Sequence, residues 1–157
     1  MTDKKYEKAV FEPIGYIESA IDPEHNYNPR EVVAKIIIKK ELEEALDGIE
    51  DFTHMIVIFW THKFSGISPP LKVHPRRDPN LPLRGVLSTR SPIRPNCIGL
   101  AVVKLENKKS NVLEVRGLDA FNGTPVLDIK PYIKISDCIP EAEAPAFVKE
   151  EGNYLTR

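Results

Sequence analysis

The sequence predicts a mainly β protein, a single small antiparallel β-barrel of about seven or eight strands with one or two short helices. Three observations point there. Short apolar, β-branched runs recur at close spacing, each bounded by turn-forming residues. Proline stands at about twice its usual share of roughly 5%, with 14 in 157 residues against only eight glycines, which favours short rigid connections. Helical periodicity surfaces only once, so no strand–helix alternation suggests a parallel sheet. The length is that of one domain, with its core over about residues 11–135 and an acidic tail at 136–157.

Taken in order, residues 11–19 read as a first strand with Pro13 near its start, followed by a polar loop at 20–30. Residues 32–39 are β-branched, with Lys35 and Lys39 on one face, the period of a half-buried strand. Leu42, Ala45, Leu46 and Ile49 follow helical spacing, and Gly48 is a plausible terminator, so a helix of about two to three turns is expected. Met55 to Trp60 contains no polar residue and reads as a central strand covered on both faces. Residues 64–84 carry Pro69, Pro70, Pro75, Pro79 and Pro82, which excludes an ordinary helix or central strand and leaves a long loop. Further strands are expected at 98–105, 112–116 and 126–130, with an Asn122-Gly123 turn signal before the last. Residues 132–135 are a candidate final strand, and one helical turn is expected near Phe147.

The net charge of −1 hides a segregation. Residues 61–96 hold seven Lys/Arg (Lys63, Lys72, Arg76, Arg77, Arg84, Arg90, Arg94) against the single acid Asp78, together with His62, His74 and seven of the prolines. Residues 31–51 hold seven acids against Lys35, Lys39 and Lys40. A basic segment of this kind is the footprint of a polyanion site, or a solvated loop balanced by its acidic neighbour.

Several chemistries are disfavoured. No two glycines lie two positions apart, so there is neither a dinucleotide fingerprint nor a P-loop, and no Gly-x-Ser-x-Gly elbow is present. The four histidines and two cysteines form no zinc pattern, so no metal is expected. No apolar signal region or membrane-length run occurs, and a cytoplasmic protein is expected.

The stretch 85–100 concentrates the chemistry. Thr89-Arg90-Ser91-Pro92-Ile93-Arg94-Pro95-Asn96 links two apolar runs, and its two X-Pro steps fix the backbone around two arginines, two hydroxyls and an amide. A stiff array of donors suits an anion or nucleotide, because little entropy is lost on binding. A surface turn with solvated arginines is the simpler alternative. His62, at the end of the apolar strand, reads either as a group pointing into a site or as a hydrogen-bonded rim histidine.

This run, continued through Cys97-Ile98-Gly99-Leu100, resembles the TsaA-like or TrmO family of tRNA N6-adenosine methyltransferases. So do Gly117-Leu118-Asp119-Ala120, the segment from Asn122 to Tyr132, Ile14-Gly15-Tyr16-Ile17 and Phe52-Thr53-His54. The resemblance spans about residues 11–135. It implies a small β-barrel, usually a homodimer, that binds S-adenosyl-L-methionine without a Rossmann sheet. The implied substrate is the anticodon loop of tRNA, methylated on N6 of threonylcarbamoyladenosine at position 37. Matched by position, cofactor contacts would come from Arg30, His62, Lys63, Arg90, Leu100, Arg116, Gly117, Leu118 and Asp119. Lys72, Arg76, Arg77, Arg84, Arg94 and Asn96 are the candidates for tRNA. Three departures stand out. Cys97 replaces a usual proline, which is expected to loosen the turn; Lys63 replaces a frequent glutamine; and longer relatives carry an additional C-terminal region.

Methyl transfer to nitrogen needs positioning above all, and a carboxylate near an acidic ureido N–H could take its proton. Asp119 and Asp128 are the catalytic candidates, each also readable as structural: Asp119 as an Asx-type turn residue, Asp128 as a strand position. Two rival readings remain open at this stage. One is a non-catalytic RNA-binding barrel, which should give no heat with S-adenosylmethionine; the other is an enzyme on a different nucleotide-linked small substrate.

Overall fold

The computed structural model describes residues 8–21, 28–145 and 148. Among these residues there are eight strands, β1 (Gly15–Ser19), β2 (Val33–Ile38), β3 (His54–Trp60), β4 (Lys72–Val73), β5 (Arg84–Gly85), β6 (Ile98–Lys109), β7 (Val112–Arg116) and β8 (Pro125–Pro131), followed by the short helix α1 (Lys134–Asp137). Six of them close a barrel in the order β1-β2-β7-β6-β3-β8, while β4 and β5 form a separate two-stranded sheet. The antiparallel barrel expected from the sequence is present, with six staves rather than seven or eight.

Alternation explains the wall. Along β2 and β3 every second residue is buried, so Ala34, Ile36 and Ile38 and then Met55, Val57 and Phe59 turn inward. They meet Ile17, Val103, Leu113, Val115 and Val126 from the other staves, all at most 1% exposed. Burying each such side chain contributes about 1.5–3 kcal/mol, the main term holding the barrel closed.

Four expectations need correction. β3 is central, flanked by β6 and β8, but it is not covered on both faces: Ile56, Ile58 and Trp60 are only half-buried. The helix expected over 42–49 is a 3-10 segment, Lys40–Leu46, and Gly48 in the left-handed region (φ 81°) starts a second short turn at Ile49–Asp51. Three of its seven residues are acids, Glu41, Glu43 and Glu44, and only Leu46 of this segment is buried, so little packing enforces a longer α-helix. Residues 132–135 add no strand; α1 begins at Lys134 instead, and its last residue, Asp137, accepts the N–H of Ile133 at 2.7 Å. The proline-rich stretch is a built hairpin, in which Lys72 and Val73 pair with Gly85 and Arg84. The turn expected near Phe147 lies outside the described residues. Among them, no helix is long and apolar enough to cross a membrane.

Because neighbouring staves run in opposite directions, β1, β3 and β7 end, and β2, β6 and β8 begin, at the same rim of the barrel. The basic hairpin is inserted between β3 and β6 at this rim. The connection 117–124 passes from β7 to β8 across it, with Leu118 wholly buried and Ala120 6% exposed, as a stopper for the core.

Candidate functional site

The rim gathers the residues that the sequence singles out on separate segments. Arg30 precedes β2, Arg116 ends β7, Gly117 to Asp119 follow it, His62 and Lys63 follow β3, and Leu100 lies on the first half of β6. Gly117 is the pivot. Its φ of 92° belongs to the region only glycine adopts freely, and a Cβ there would stand 3.7 Å from Arg30 O and 3.8 Å from Val102 O. Its N–H donates to Val32 O at 2.8 Å, and the chain leaves the β7 ladder at this point with the Arg30 and Val102 carbonyls close to the glycine.

The stiff turn is tied to the end of β3. Thr61 N–H donates to Cys97 O at 2.7 Å, and Thr61 Oγ1 lies 2.9 Å from Cys97 O and 3.0 Å from Pro92 O, sharing one proton between them. Within the turn, Arg94 Nη1 donates to Thr89 O at 3.2 Å and Thr89 Oγ1 to Val86 O at 2.8 Å. Arg94 therefore braces its own turn with part of its fork, whereas Arg90 and Asn96 are exposed on it.

Cys97 does not loosen the turn. Its N–H donates to Arg94 O at 3.1 Å, its thiol contacts the same oxygen at 3.4 Å, and its φ is +51°. A proline satisfies neither condition, having no N–H and a φ near −65°. The turn in this chain is closed by a bond that a proline at position 97 would remove.

Two further residues belong to the site that sequence reasoning missed. Phe121 receives the Lys63 ammonium 4.3 Å above its ring centroid and meets Phe64 at 6.4 Å, joining the stopper to the end of β3. Thr61 is the other. An aromatic beside Asn122-Gly123 and a hydroxyl closing an apolar strand were the available signals. The His62 ring lies 6.2 Å from that of Trp60, tilted by 57°, and its Nδ1 is the only buried side-chain polar atom without a hydrogen-bond partner among the described residues. An orphaned imidazole nitrogen at a rim fits a site completed by a ligand.

Other candidates are engaged. Arg116 Nε donates to Glu106 Oε1 at 2.7 Å; this hydrogen bond first, and Lys104 second, hold the Glu106 carboxyl below its ordinary range. Leu118 is core, which leaves only its main chain for a ligand. Asp128 lies on the outer wall, opposite Ile58, accepting Ile129 N–H at 2.9 Å and Lys130 Nζ at 2.8 Å. Asp119 sits half-buried in the stopper. Lys72, Arg77 and Arg84 are exposed on the hairpin, and Arg76 lies in its 3-10 turn, Pro75–Arg77. His74 Nδ1 is 2.6 Å from Leu81 O and pins the hairpin loop.

The geometry is thus a rim at which Gly117 lies close to the Arg30 and Val102 main chain, beside cationic and aromatic groups at the base of a basic hairpin. The tRNA-methyltransferase O N-terminal domain family matches residues 16–138. The chain belongs to the TrmO family. It is 42% identical over 132 residues to a tRNA (adenine(37)-N6)-methyltransferase from Homo sapiens, covering 78% of this chain but 30% of that protein. It is 40% identical over 139 residues to an S-adenosyl-L-methionine-binding protein from Archaeoglobus fulgidus, covering 85% of this chain and 96% of that one. The crystal structure of TrmO from Pseudomonas aeruginosa superposes with a TM-score of 0.69 at 30% identity, over 87% of this chain and 62% of that chain. The chain therefore spans about a third of the human TrmO relative and just under two thirds of the solved bacterial one, and nearly all of the archaeal protein.

Proposed function

We propose that this chain is an S-adenosylmethionine-dependent methyltransferase that modifies N6 of threonylcarbamoyladenosine at position 37 of tRNA and works as a homodimer in the cytoplasm. One observation carries the reading: Gly117 lies close to the Arg30 and Val102 carbonyls at the rim where His62, Lys63 and the basic hairpin also converge. The names of the archaeal and human relatives support the cofactor and the substrate class respectively.

When bound, the cofactor supplies a sulfonium methyl; transfer forms the N–C bond, breaks the S–C bond and releases the nitrogen's proton. This chain's own residues hold and orient. Gly117, having no side chain, allows close approach to the main chain, and the fixed Thr89–Cys97 turn presents Arg90 with little ordering cost. Asp119 takes or orients the ureido proton, being half-buried at the rim beside Gly117, whereas Asp128 lies on the outer wall opposite Ile58. Asp119→Asn is expected to lower turnover at saturating tRNA about 100-fold and Asp128→Asn by no more than about threefold. Wild-type turnover in both variants would remove the base from the mechanism.

The exposed cations of the hairpin supply phosphate contacts. For Lys72→Ala with Arg77→Ala, the slope of log affinity for tRNA against log salt should become shallower by about 2, since each phosphate contact contributes about 0.9. An unchanged slope places the RNA elsewhere. Support for the dimer comes from the outer wall, where Ile56, Ile58 and Trp60 pair across with Val102, Leu100 and Ile98, the last three 40–48% exposed. An apolar stripe of six side chains on this wall fits a second copy, and the sedimenting mass of one protomer would count against it. The unpaired thiols Cys97 and Cys138 suit a reducing compartment. The deciding assay measures methyl incorporation into tRNA with and without the threonylcarbamoyl group; equal labelling of both would overturn the substrate assignment.

A further inference from the structure

The basic hairpin carries a second kind of side chain that its charge does not explain. Leu71 is 84% exposed, Leu87 72% and Leu83 55%, the three most exposed leucines among the described residues. Single exposed leucines are ordinary; three on one short hairpin are an apolar cluster held in water. Looseness of the segment is not the cause. Lys72 and Val73 pair with Gly85 and Arg84, and Val86 N–H donates to Leu71 O at 3.0 Å. Val86 is 4% exposed and Pro75 is buried, which anchors the hairpin. Ser88 Oγ donates to Gly85 O at 2.8 Å across the 3-10 turn Val86–Ser88, the turn that presents Leu87. At the tip, Asp78 Oδ1 accepts both the N–H and the side-chain amide of Asn80 at 2.9 Å. A built frame therefore holds the leucines outward.

Their surroundings select what they meet. Leu71 adjoins Lys72 and Leu83 adjoins Arg84 in the chain, and Lys72, Arg77 and Arg84 are exposed. Leu87 stands three residues before Arg90, at the entry to the Thr89–Cys97 turn. Cations interleaved with apolar side chains complement a strand of phosphates whose bases can be parted. We infer that Leu71 and Leu87, with Leu83 beside them, form a wedge that enters the anticodon loop and takes the place of the target base in the stack. The inference rests on the tRNA reading above and goes beyond it by assigning the device that makes N6 reachable. A stacked base cannot bring its amine into line with a methyl donor, so enzymes acting on bases take them out of the stack. Apolar side chains inserted at the vacated step offset the lost stacking.

The test uses the full chain and an anticodon stem-loop with threonylcarbamoyladenosine at position 37 and 2-aminopurine at position 38. The 2-aminopurine is dim while stacked and brightens when its neighbour leaves. Saturating wild type should brighten it about threefold or more. Leu71→Ser combined with Leu87→Ser touches only exposed side chains, so its melting curve should match that of wild type. Its affinity for the stem-loop should stay within about threefold, with the same salt slope, because the cations are unchanged. It should not brighten the probe, and its turnover at saturating RNA should fall about 30-fold. A stem-loop abasic at position 38, whose target base has already lost a stacking neighbour, should restore most of that turnover. No brightening by wild type, or brightening and turnover in the double variant equal to wild type, overturns the inference. So does a double variant whose RNA behaviour is intact but which loses binding to phosphatidylserine vesicles or sediments at a lower mass; the leucines would then serve a membrane or a second copy. Failure of wild type to bind the stem-loop at all overturns the tRNA reading itself, a separate and distinguishable outcome.

Discussion

Valine at position 117 will abolish measurable binding of S-adenosylhomocysteine while the barrel stays folded. Two effects add. A φ of 92° costs a residue with a Cβ about 1–2 kcal/mol, and a β-branched one more. The Cβ itself meets only ordinary contacts, 3.7 Å to Arg30 O and 3.8 Å to Val102 O, but the two methyls of valine extend beyond it. The strain lies at the end of β7, outside the paired ladder, so melting should fall by only a few degrees. Affinity should fall at least about 100-fold, because the methyls block close approach of a ligand to the main chain. Gly117→Ala separates the two effects: it carries the backbone strain without the methyls, and should retain binding within about tenfold. Wild-type affinity in the valine variant would place the cofactor elsewhere on the chain.

Alanine at position 15 will be the most damaging single substitution for stability. Gly15 pairs with Ile38 on one side and Val126 on the other, so it sits where β1 joins both neighbours. Its Cβ would fall 2.2 Å from Ile37 O and 2.9 Å from Ile38 Cα. Both are main chain and cannot swing aside, so β2 must separate from β1. The β1–β8 ladder consists only of Gly15↔Val126 and Tyr16↔Pro125, and it is the part least able to absorb the shift. We expect a loss of about 3 kcal/mol and a melting temperature lower by about 6–12 °C. Gly99→Ala makes the contrast. Its Cβ would strike the Phe59 ring at 2.3 Å, a side chain that can rotate at some cost to the core. If Gly15→Ala melts like the wild type, the close approach of β1 and β2 is not as described here.

The fold was legible because its signal is local. Lys35 alternating with Ile36 and the unbroken run Met55–Trp60 mark staves whatever the tertiary context. What could not be read was which staves close the ring and which stand outside it. Lys72–Val73 and Arg84–Gly85 are too short and too rich in neighbouring proline to show a strand period, so a hairpin looked like a loop. The 3-10 geometry of Lys40–Leu46 is equally hidden, since residues at i, i+3 and i+4 suit both helix types over so few turns. For the site, family resemblance supplied residues on five segments, and the structure brings Arg30, His62, Lys63, Leu100 and Arg116 to Asp119 to one rim. Side-chain identity was a poor guide to how they act there. Leu118 is buried and Arg116 is bonded to Glu106. Phe121 and Thr61 escaped notice because each matters only through a partner that is remote in sequence.

The stopper over the core is held by the first strand as well as by the last. Ile17 N–H donates to Thr124 O at 2.9 Å, Gly123 N–H donates to Ile17 O at 2.8 Å, and Ser19 N–H donates to Asn122 Oδ1 at 3.2 Å, across 103 residues of chain. None of the proposed ligand contacts lies on β1, yet the stopper at the rim is not fixed until β1 has met that turn. Such long-range contacts are the slow ones in folding, because loop entropy is lost before they form. Competence to bind should therefore be acquired last, in the step that shuts the ring, and refolding followed by ligand binding should lag behind refolding followed by β-sheet signal.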